Sequence, residues 1–186
     1  SDVVCPWCII GYKRLEKALG FLKKPVQVEL EWHPFELNPK MPPEGTDALR
    51  HLAAKYQTTK DQILVNRERL VTLGAQLGFA FNYRDDHRVY NTFDAHRLLY
   101  WAKSQGLQTD LKLALFEDYF GHGRNVSDHQ VLLATTDRVG LDREGSEAIL
   151  NSQQYAQEVK AVASAYSRAG VTGVPAYIVG GKYLIS

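Results

Sequence analysis

Cysteine is scarce in this chain: among 186 residues there are only two, Cys5 and Cys8. So few cysteines exclude a small secreted scaffold that is held together by several disulfides. Long apolar runs are missing as well, and none approaches the roughly 18 residues of a membrane-spanning helix. The sequence also lacks internal repeats and low-complexity stretches. These absences leave an ordinary globular enzyme as the expected class.

An excess of charge of one sign is lacking too. The chain has 22 basic and 21 acidic residues and a formal net charge of +1, which predicts neither nucleic acid nor a membrane as a partner. Apolar material is abundant: 45% of the residues are hydrophobic and 11% are aromatic, enough for the core of one large domain or of one domain with an insertion. We expect a cytoplasmic protein, although a signal peptide removed upstream of Ser1 would change this assignment.

The two cysteines form one motif, Cys5-Pro6-Trp7-Cys8. Proline suits the first position of a helix, and the first N–H groups of that helix, which have no partner within it, would point at the Cys5 sulfur and stabilise a thiolate. Half of a zinc site is an alternative, but the sequence has no second cysteine pair and no histidine at finger-like spacing. A purely structural disulfide is disfavoured because so small a ring restrains little of the unfolded chain. The motif therefore predicts redox chemistry and no metal site.

The hydrophobic pattern predicts a helix, a strand, a long helical block and a hairpin, in this order. The first helix runs from Pro6 to Leu22 and closes at Lys23-Lys24-Pro25. Alternation from Val26 to Trp32 predicts a half-buried strand. The segment from Val174 to Ile185 is typical of a hairpin that turns at Gly180-Gly181.

Capping residues divide the helical block. Thr59 and Ser127 are predicted N-caps, and Gly78, Gly106 and Gly121 stand where C-terminal glycines are expected. The predicted helices are Thr46–Tyr56, Lys60–Leu77, Tyr90–Gln105, Thr109–Phe120, Asp128–Val139 and Arg143–Arg168.

Four segments in this order resemble the FrnE-like branch of the DsbA family of thiol–disulfide oxidoreductases, within the thioredoxin superfamily. The resemblance implies an α/β protein with a thioredoxin-like fold and a large all-helical insertion between the second strand and the C-terminal β-hairpin. It assigns residues 1–40 and 151–186 to the thioredoxin-like domain and 41–150 to the insertion. It also implies trimming at both ends, because a central strand normally precedes the redox motif and a helix normally follows the hairpin. The four segments are Asp2–Cys8, Trp32–Asn38, Asn91–Arg97 and Gly173–Pro175.

This resemblance assigns roles within the motif. Cys5 is expected to be the more exposed residue and the attacking thiolate, with a pKa lowered from about 8.5 into the range of ~3.5–7.5. Cys8 is expected to be buried and to resolve the mixed disulfide. Pro6 and Trp7 would tune the redox potential. Because Trp7 brings no charge, we expect a potential less oxidising than that of the strongest oxidants of this fold.

Val174 and Pro175 form the second half of the expected site. The bond between them is predicted to be cis, which turns the Val174 backbone toward the cysteines, where it can pair with an extended substrate strand. The ring of Pro175 would lie beside Cys5 and discourage metal capture by the dithiol.

Four further side chains are weaker candidates for lining the substrate groove. Trp32, His33 and Phe35 form either an apolar rim for peptides or packing under the helical block, and the sequence leaves both open. His96 either lines the groove opposite the cysteines or belongs to a structural network with its charged neighbours, and the network is favoured.

Three hypotheses follow for the function. The first is a thiol–disulfide oxidoreductase that acts on protein or peptide thiols through the Cys5–Cys8 pair, without a cofactor and with glutathione as a conceivable reductant or ligand. The second is a glutathione-dependent isomerase or transferase, related to 2-hydroxychromene-2-carboxylate isomerases and kappa-type glutathione transferases. Those relatives typically have a lone serine at the Cys5 position, so Cys8 argues against this reading. The third is a holdase-like binding module with secondary redox activity. The oligomeric state stays open.

Overall fold

A computed structural model describes residues 1–24 and 26–186 of the chain. Its first helix, α1, spans Pro6–Gly20, with Cys5 as an extended N-cap and proline at the first helical position. The predicted helix is confirmed, but it ends two residues before Leu22. Phe21 and Leu22 are exposed, so no burial extends the helix over them. Pro25, which the sequence placed at this boundary, lies outside the described residues.

The helical block follows the prediction closely, with shifts at the helix ends. Two short antiparallel strands, β1 (Thr46–Asp47) and β2 (Arg88–Val89), pair beside it. A π-helical turn at Glu117–Gly121 directly continues α5. The helices are α2 (Ala48–Tyr56), α3 (Lys60–Gln76), α4 (Phe93–Ser104), α5 (Gln108–Phe116), α6 (His129–Arg138), α7 (Arg143–Leu150) and α8 (Ala156–Arg168).

Most of the predicted capping residues are confirmed. The Thr59 hydroxyl accepts from the Gln62 N–H in a reciprocal capping box, and Gly78 and Gly106 have left-handed backbones, as C-terminal glycines do. The prediction for Ser127 is wrong: its neighbour Asp128 is the N-cap of α6 and accepts from the Gln130 N–H. Gly121 differs as well, because it lies inside the π-helical turn.

The predicted helix from Arg143 to Arg168 is broken into α7 and α8. The break follows from the buried guanidinium of Arg97, which donates to the carbonyl oxygens of Ile149, Ser152 and Gln154. These three carbonyl groups lie at the break, and that of Ile149 also accepts from the Ser152 N–H over 3.3 Å. Apolar periodicity alone did not reveal this break.

The prediction of a strand from Val26 to Trp32 is wrong for the described structure, because the segment forms no strand and belongs to neither sheet. The side-chain amide of Gln108 bonds both the N–H and the carbonyl of Trp32 instead. Alternation predicts an extended backbone but not a neighbour. The hairpin is confirmed: β3 (Tyr177–Val179) pairs with β4 (Tyr183–Ile185), and both turn glycines have positive φ.

One apolar cluster runs from Val3 to Leu150 and includes both cysteines. Ile9 of α1 is fully buried in it together with Leu98 of α4 and Leu111 of α5. The redox motif therefore rests directly on the helical block. The division at residues 40 and 150 stays a prediction. Within residues 1–24 and 26–186, no helix is long and apolar enough to cross a membrane, and the predicted compartment stays a prediction.

Candidate active site

Cys5 and Cys8 are both reduced and both buried at the start of α1. Their exposed fractions are 2% and 1%, so the predicted burial of Cys8 is confirmed, and Cys5 is buried almost as deeply. The motif folds back tightly, because the Cys8 N–H donates to the Cys5 carbonyl over 3.1 Å. A substrate can therefore reach Cys5 only through a cavity that this residue lines.

The pKa values of the two thiols are shifted in opposite directions. The hydrogen bond to Cys8, followed by burial, raises the pKa of Cys5. Burial alone would raise the pKa of Cys8 as well, but the hydrogen bond from Cys5, the charge and hydrogen bond of Ser1 and the charge of Lys112 lower it to about 6. The two sulfurs therefore ionise as one coupled pair, which loses its first proton far more easily than its second. The assignment of the thiolate to Cys5 stays a prediction.

Buried charged side chains interact electrostatically with the cysteine pair. Lys112 of α5 is 1% exposed, and its Nζ lies 5.5 Å from the centre of the Trp32 ring and 5.1 Å from that of Phe116. Burial lowers the pKa of Lys112 to about 8, although the charges of Cys8 and Asp2 oppose this shift. A cation held in a low-dielectric core attracts a thiolate more strongly than a cation in water does.

Asp2 is the second buried charge of this cluster. Its carboxylate accepts from the Leu37 N–H over 2.7 Å and lies 3.6 Å from Nε2 of His96. Burial would raise the pKa of Asp2, but His96, the Leu37 N–H and Lys112 together lower it. Burial also lowers the pKa of His96, so this ring is neutral at neutral pH. Asp2 therefore ties the segment before the motif to α4 and to the 35–37 segment.

Val174 and Pro175 lie where the sequence placed them. The bond between them is cis, and the Cys5 thiol donates to the Val174 carbonyl, with 3.7 Å between sulfur and oxygen. Gly11 of α1 lets this segment approach closely, because a Cβ at position 11 would lie 2.4 Å from the Tyr177 hydroxyl and 3.5 Å from the Pro175 ring. The hairpin and α1 thus share the surface beside the cysteines.

Cys5 lines a cavity of about 570 Å³, which we call the Cys5 cavity. Pro6, Trp7 and Val174 form its rim near the sulfur, and side chains of α2 and α3 form much of the remaining wall. No aspartate or glutamate lines this cavity, and the lining is mainly apolar. The volume lies in the range of small-molecule sites, about 300–1,000 Å³.

Cys8 lines a different opening of about 350 Å³, which we call the Cys8 cleft. Trp32, His33 and Phe35 line this cleft and not the Cys5 cavity. Trp32 also packs on Phe116, so it contributes to packing under the helical block. His33 is tied to α8, since its Nε2 lies 2.9 Å from the Tyr166 hydroxyl.

His96 and its charged neighbours belong to structural contacts. His96 is buried against Asp2 and the Phe35 carbonyl and does not line the Cys5 cavity. Asp94 pairs with Arg97 over 2.7 Å and with His129 over 2.9 Å. Among residues 1–24 and 26–186, no cluster of three or more histidine, cysteine or acidic side chains is arranged to hold a metal ion.

Sequence reasoning missed Lys112 and Arg67. Both are basic residues at helical spacing from buried neighbours: Lys112 follows Gln108 by four residues, and Arg67 follows Ile63 by four. A basic residue in a buried helical stripe is the signal that identifies them. Asp2 was part of the quoted motif, but its burial was not visible in the sequence.

The geometry of this site agrees with comparisons to known proteins. Residues 1–186 match the family of DsbA-like thioredoxin domains. The chain belongs to this family. It is 28% identical over 182 residues to the uncharacterized protein YwbO of Bacillus subtilis (strain 168), an overlap of 97% of this chain and 84% of that protein.

Solved structures give the same fold. The probable DsbA oxidoreductase SCO1869 from Streptomyces coelicolor superposes with a TM-score of 0.93 and 34% identity, covering all of this chain and 80% of that one. A 2-hydroxychromene-2-carboxylate isomerase superposes with a TM-score of 0.68 and 15% identity, covering all of this chain and 85% of that one. This second similarity concerns the fold alone.

Proposed function

We propose that this protein is a thiol–disulfide oxidoreductase in which Cys5 and Cys8 exchange a disulfide with protein or peptide thiols. The observation that carries the proposal is the position of the pair: two free thiols lie at the N-terminus of α1, and the Cys5 thiol donates to the Val174 carbonyl just before the cis bond to Pro175. A thiolate is the nucleophile of disulfide exchange. Membership in the DsbA-like family and the similarity to a probable DsbA oxidoreductase agree with this chemistry.

Reduction of a substrate disulfide takes two steps. As Cys5 passes its proton to Cys8, the Cys5 sulfur attacks one substrate sulfur; the substrate S–S bond breaks, and the other substrate sulfur leaves as a thiolate. Cys8 then loses its proton and attacks Cys5, which forms the Cys5–Cys8 disulfide and releases the second substrate thiolate. Two electrons pass from the pair to the substrate, and the reverse sequence oxidises a substrate dithiol.

Cys5 is the attacking residue in this proposal because it lines the larger cavity, whereas Cys8 lines the smaller cleft. The Val174 carbonyl, which accepts from the Cys5 thiol in this structure, becomes available for a substrate N–H once Cys5 has reacted. The positive charge of Lys112 lowers the pKa of Cys8 and so favours the loss of the Cys8 proton that precedes its attack on Cys5.

The isomerase or transferase reading receives less support. A second thiol beside Cys5 would displace glutathione from a mixed disulfide instead of holding it as a stable ligand. The holdase reading is separated by the Cys5→Ser, Cys8→Ser double variant, which keeps any suppression of aggregation and loses disulfide exchange.

The test is a redox titration of the pair against defined glutathione buffers, followed by thiol alkylation and mass measurement. A single two-electron transition between dithiol and disulfide supports the proposal. Its midpoint relative to a cytosolic poise of about −220 to −320 mV then indicates whether the protein acts as an oxidant or as a reductant. The absence of a transition, or a glutathione adduct on Cys5 that Cys8 never resolves, contradicts it.

A further inference from the structure

Arg67 on α3 has no structural explanation in the described part of the chain. It is 9% exposed, and its Nη2 atom is buried without a hydrogen-bond partner there. Arg97, the other deeply buried arginine, donates to Asp94 and to several backbone carbonyls. An uncompensated charge in a protein interior is costly. We therefore expect Arg67 to pair with an anion that the protein itself does not supply.

The side chains that line the Cys5 cavity with Arg67 include a second cation and no carboxylate. Arg67 and Lys55 are the cationic side chains that line the Cys5 cavity, and no acidic side chain lines it. Lys55 is already engaged, since its ammonium group donates to the Leu37 carbonyl and to Asn38. His87 adds no charge at neutral pH because burial and Arg67 lower its pKa to about 4. The unmatched positive charge of the cavity is therefore that of Arg67.

The Arg67 guanidinium lies over the ring of Tyr83. The Arg67 Cζ lies 5.0 Å from the centre of the Tyr83 ring, and His87 packs edge-on against the same ring at 5.2 Å. Stacking on a ring holds the planar guanidinium in one orientation and leaves its N–H groups available in that plane. This arrangement favours a planar, bidentate anion such as a carboxylate.

The rest of the wall suits an apolar molecule of moderate size. A free inorganic anion would gain nothing from such a lining, whereas an organic acid would bury its carbon skeleton there. The apolar side chains that contribute to the wall include Val4, Leu52, Ile63, Leu70 and Phe120.

We propose that the Cys5 cavity binds a small organic carboxylate with an aromatic or aliphatic body. The carboxylate accepts hydrogen bonds from Arg67, and the body packs against the apolar wall. Because Cys5 belongs to the same lining, the bound acid contacts the redox pair. The site does not depend on the proposed disulfide exchange, since it needs charge and shape but no thiol.

The experiment measures binding to the full chain carrying Cys5→Ser and Cys8→Ser, so that no thiol chemistry contributes. Isothermal titration calorimetry compares naphthoate with naphthamide, which has the same shape but no charge. We expect naphthoate to bind at least tenfold more tightly. Adding Arg67→Gln should abolish this preference, Arg67→Lys should retain part of it, and the exposed Arg50→Gln should leave it unchanged.

Circular dichroism of each variant verifies folding, and the Arg67→Lys variant keeps the test informative if Arg67→Gln does not fold. Equal affinity for the two probes, binding of neither, or a preference that survives the loss of charge at position 67 overturns the proposal. The redox titration described above uses the unaltered cysteines. Failure of one experiment is therefore distinguishable from failure of the other.

Discussion

The two sides of the cysteine pair are built differently, although Cys5 and Cys8 are only three residues apart. The Cys5 cavity is lined by side chains of α2 and α3 and by an aromatic cluster in which Tyr83, Phe120 and Tyr119 pack together. The Cys8 cleft is lined by segment 29–35 and by the hairpin, whose outward residues such as Val179 and Ile185 are more than half exposed.

This difference separates binding from charge control. The Cys5 side has the larger cavity, of about 570 Å³, in which a molecule can lie against the sulfur. The Cys8 side has the buried Lys112, which stabilises the negative charge of the reduced pair. The Cys5-Pro6-Trp7-Cys8 motif thus has the Cys5 cavity on one side and an interaction with the buried charge of Lys112 on the other.

The largest effect is expected at His87, in the aromatic wall of the Cys5 cavity. Burial lowers its pKa from 6.5 to about 4. Between these values the unfolded chain binds a proton that the folded chain does not, so stability should fall as the pH decreases through this window, by about 3 kcal/mol in total. His87→Phe keeps a ring in place and should remove that loss. Urea denaturation at several pH values measures the free energy of unfolding of both proteins.

The exposed His122 provides the control: His122→Phe should leave the pH dependence as it is. A wild-type protein and a His87→Phe variant that lose stability equally between pH 6.5 and 4 would show that the wall is not tightly packed.

Packing on the Cys5 side is tested by Gly74→Ala in α3. A Cβ at this position would lie 2.5 Å from the Phe79 carbonyl oxygen and 2.5 Å from the Phe81 ring. Overpacking of this kind costs about 1–3 kcal/mol. Gly20→Ala at the end of α1, where nothing lies within 4 Å of the added Cβ, should be neutral or stabilising by up to about 1 kcal/mol. Thermal unfolding of both variants measures the difference in their stability. Equal stability of the two would contradict tight packing around Gly74.

The electrostatic support is tested by Lys112→Met. Removal of this buried cation should raise the first pKa of the cysteine pair from about 6 by about one unit, which corresponds to about 1.4 kcal/mol. The ultraviolet absorbance of the thiolate, followed against pH, measures the change. Lys103→Met, at a largely exposed position, is the matched control, and it should leave this pKa where it is. Identical titrations of the wild type and the Lys112→Met variant would exclude the assigned role.

The smallest effect is expected on the Cys8 side, at Ile185 of the hairpin. This side chain is 58% exposed, so Ile185→Ala should change the free energy of unfolding by less than about 0.5 kcal/mol. Denaturant unfolding of the variant measures this change in free energy. A cost well above 1 kcal/mol would mean that another surface covers the hairpin in solution.

Local signals in the sequence predicted much of this architecture. The Thr59 capping box, the proline after Cys5 and the hairpin glycines depend on residues close together in the chain, and each was placed correctly. The break between α7 and α8 was not predictable, because Arg97 causes it from a distant helix. The segment from Val26 to Trp32 failed for a similar reason, since strand formation needs a partner that alternation does not specify.

The candidate site, like the fold, was predicted from the sequence only in part. The Cys5–Cys8 pair and the cis bond before Pro175 were predicted from motifs. The burial of Cys5 and the charge supplied by Lys112 were not, because both depend on packing between elements that are distant in the sequence. Tertiary packing decides how deeply the pair is buried and which charges lie near it, and a motif of four residues does not contain that information.

The most direct test of the account is a trapping experiment with the two single variants, Cys8→Ser and Cys5→Ser. Each is mixed with a peptide disulfide and analysed by mass spectrometry for a mixed disulfide. The account predicts that Cys8→Ser accumulates a stable adduct on Cys5 and that Cys5→Ser reacts far more slowly, because Cys8 does not line the Cys5 cavity. Equal or faster adduct formation on Cys8 would contradict the assignment of Cys5 as the residue that meets the substrate.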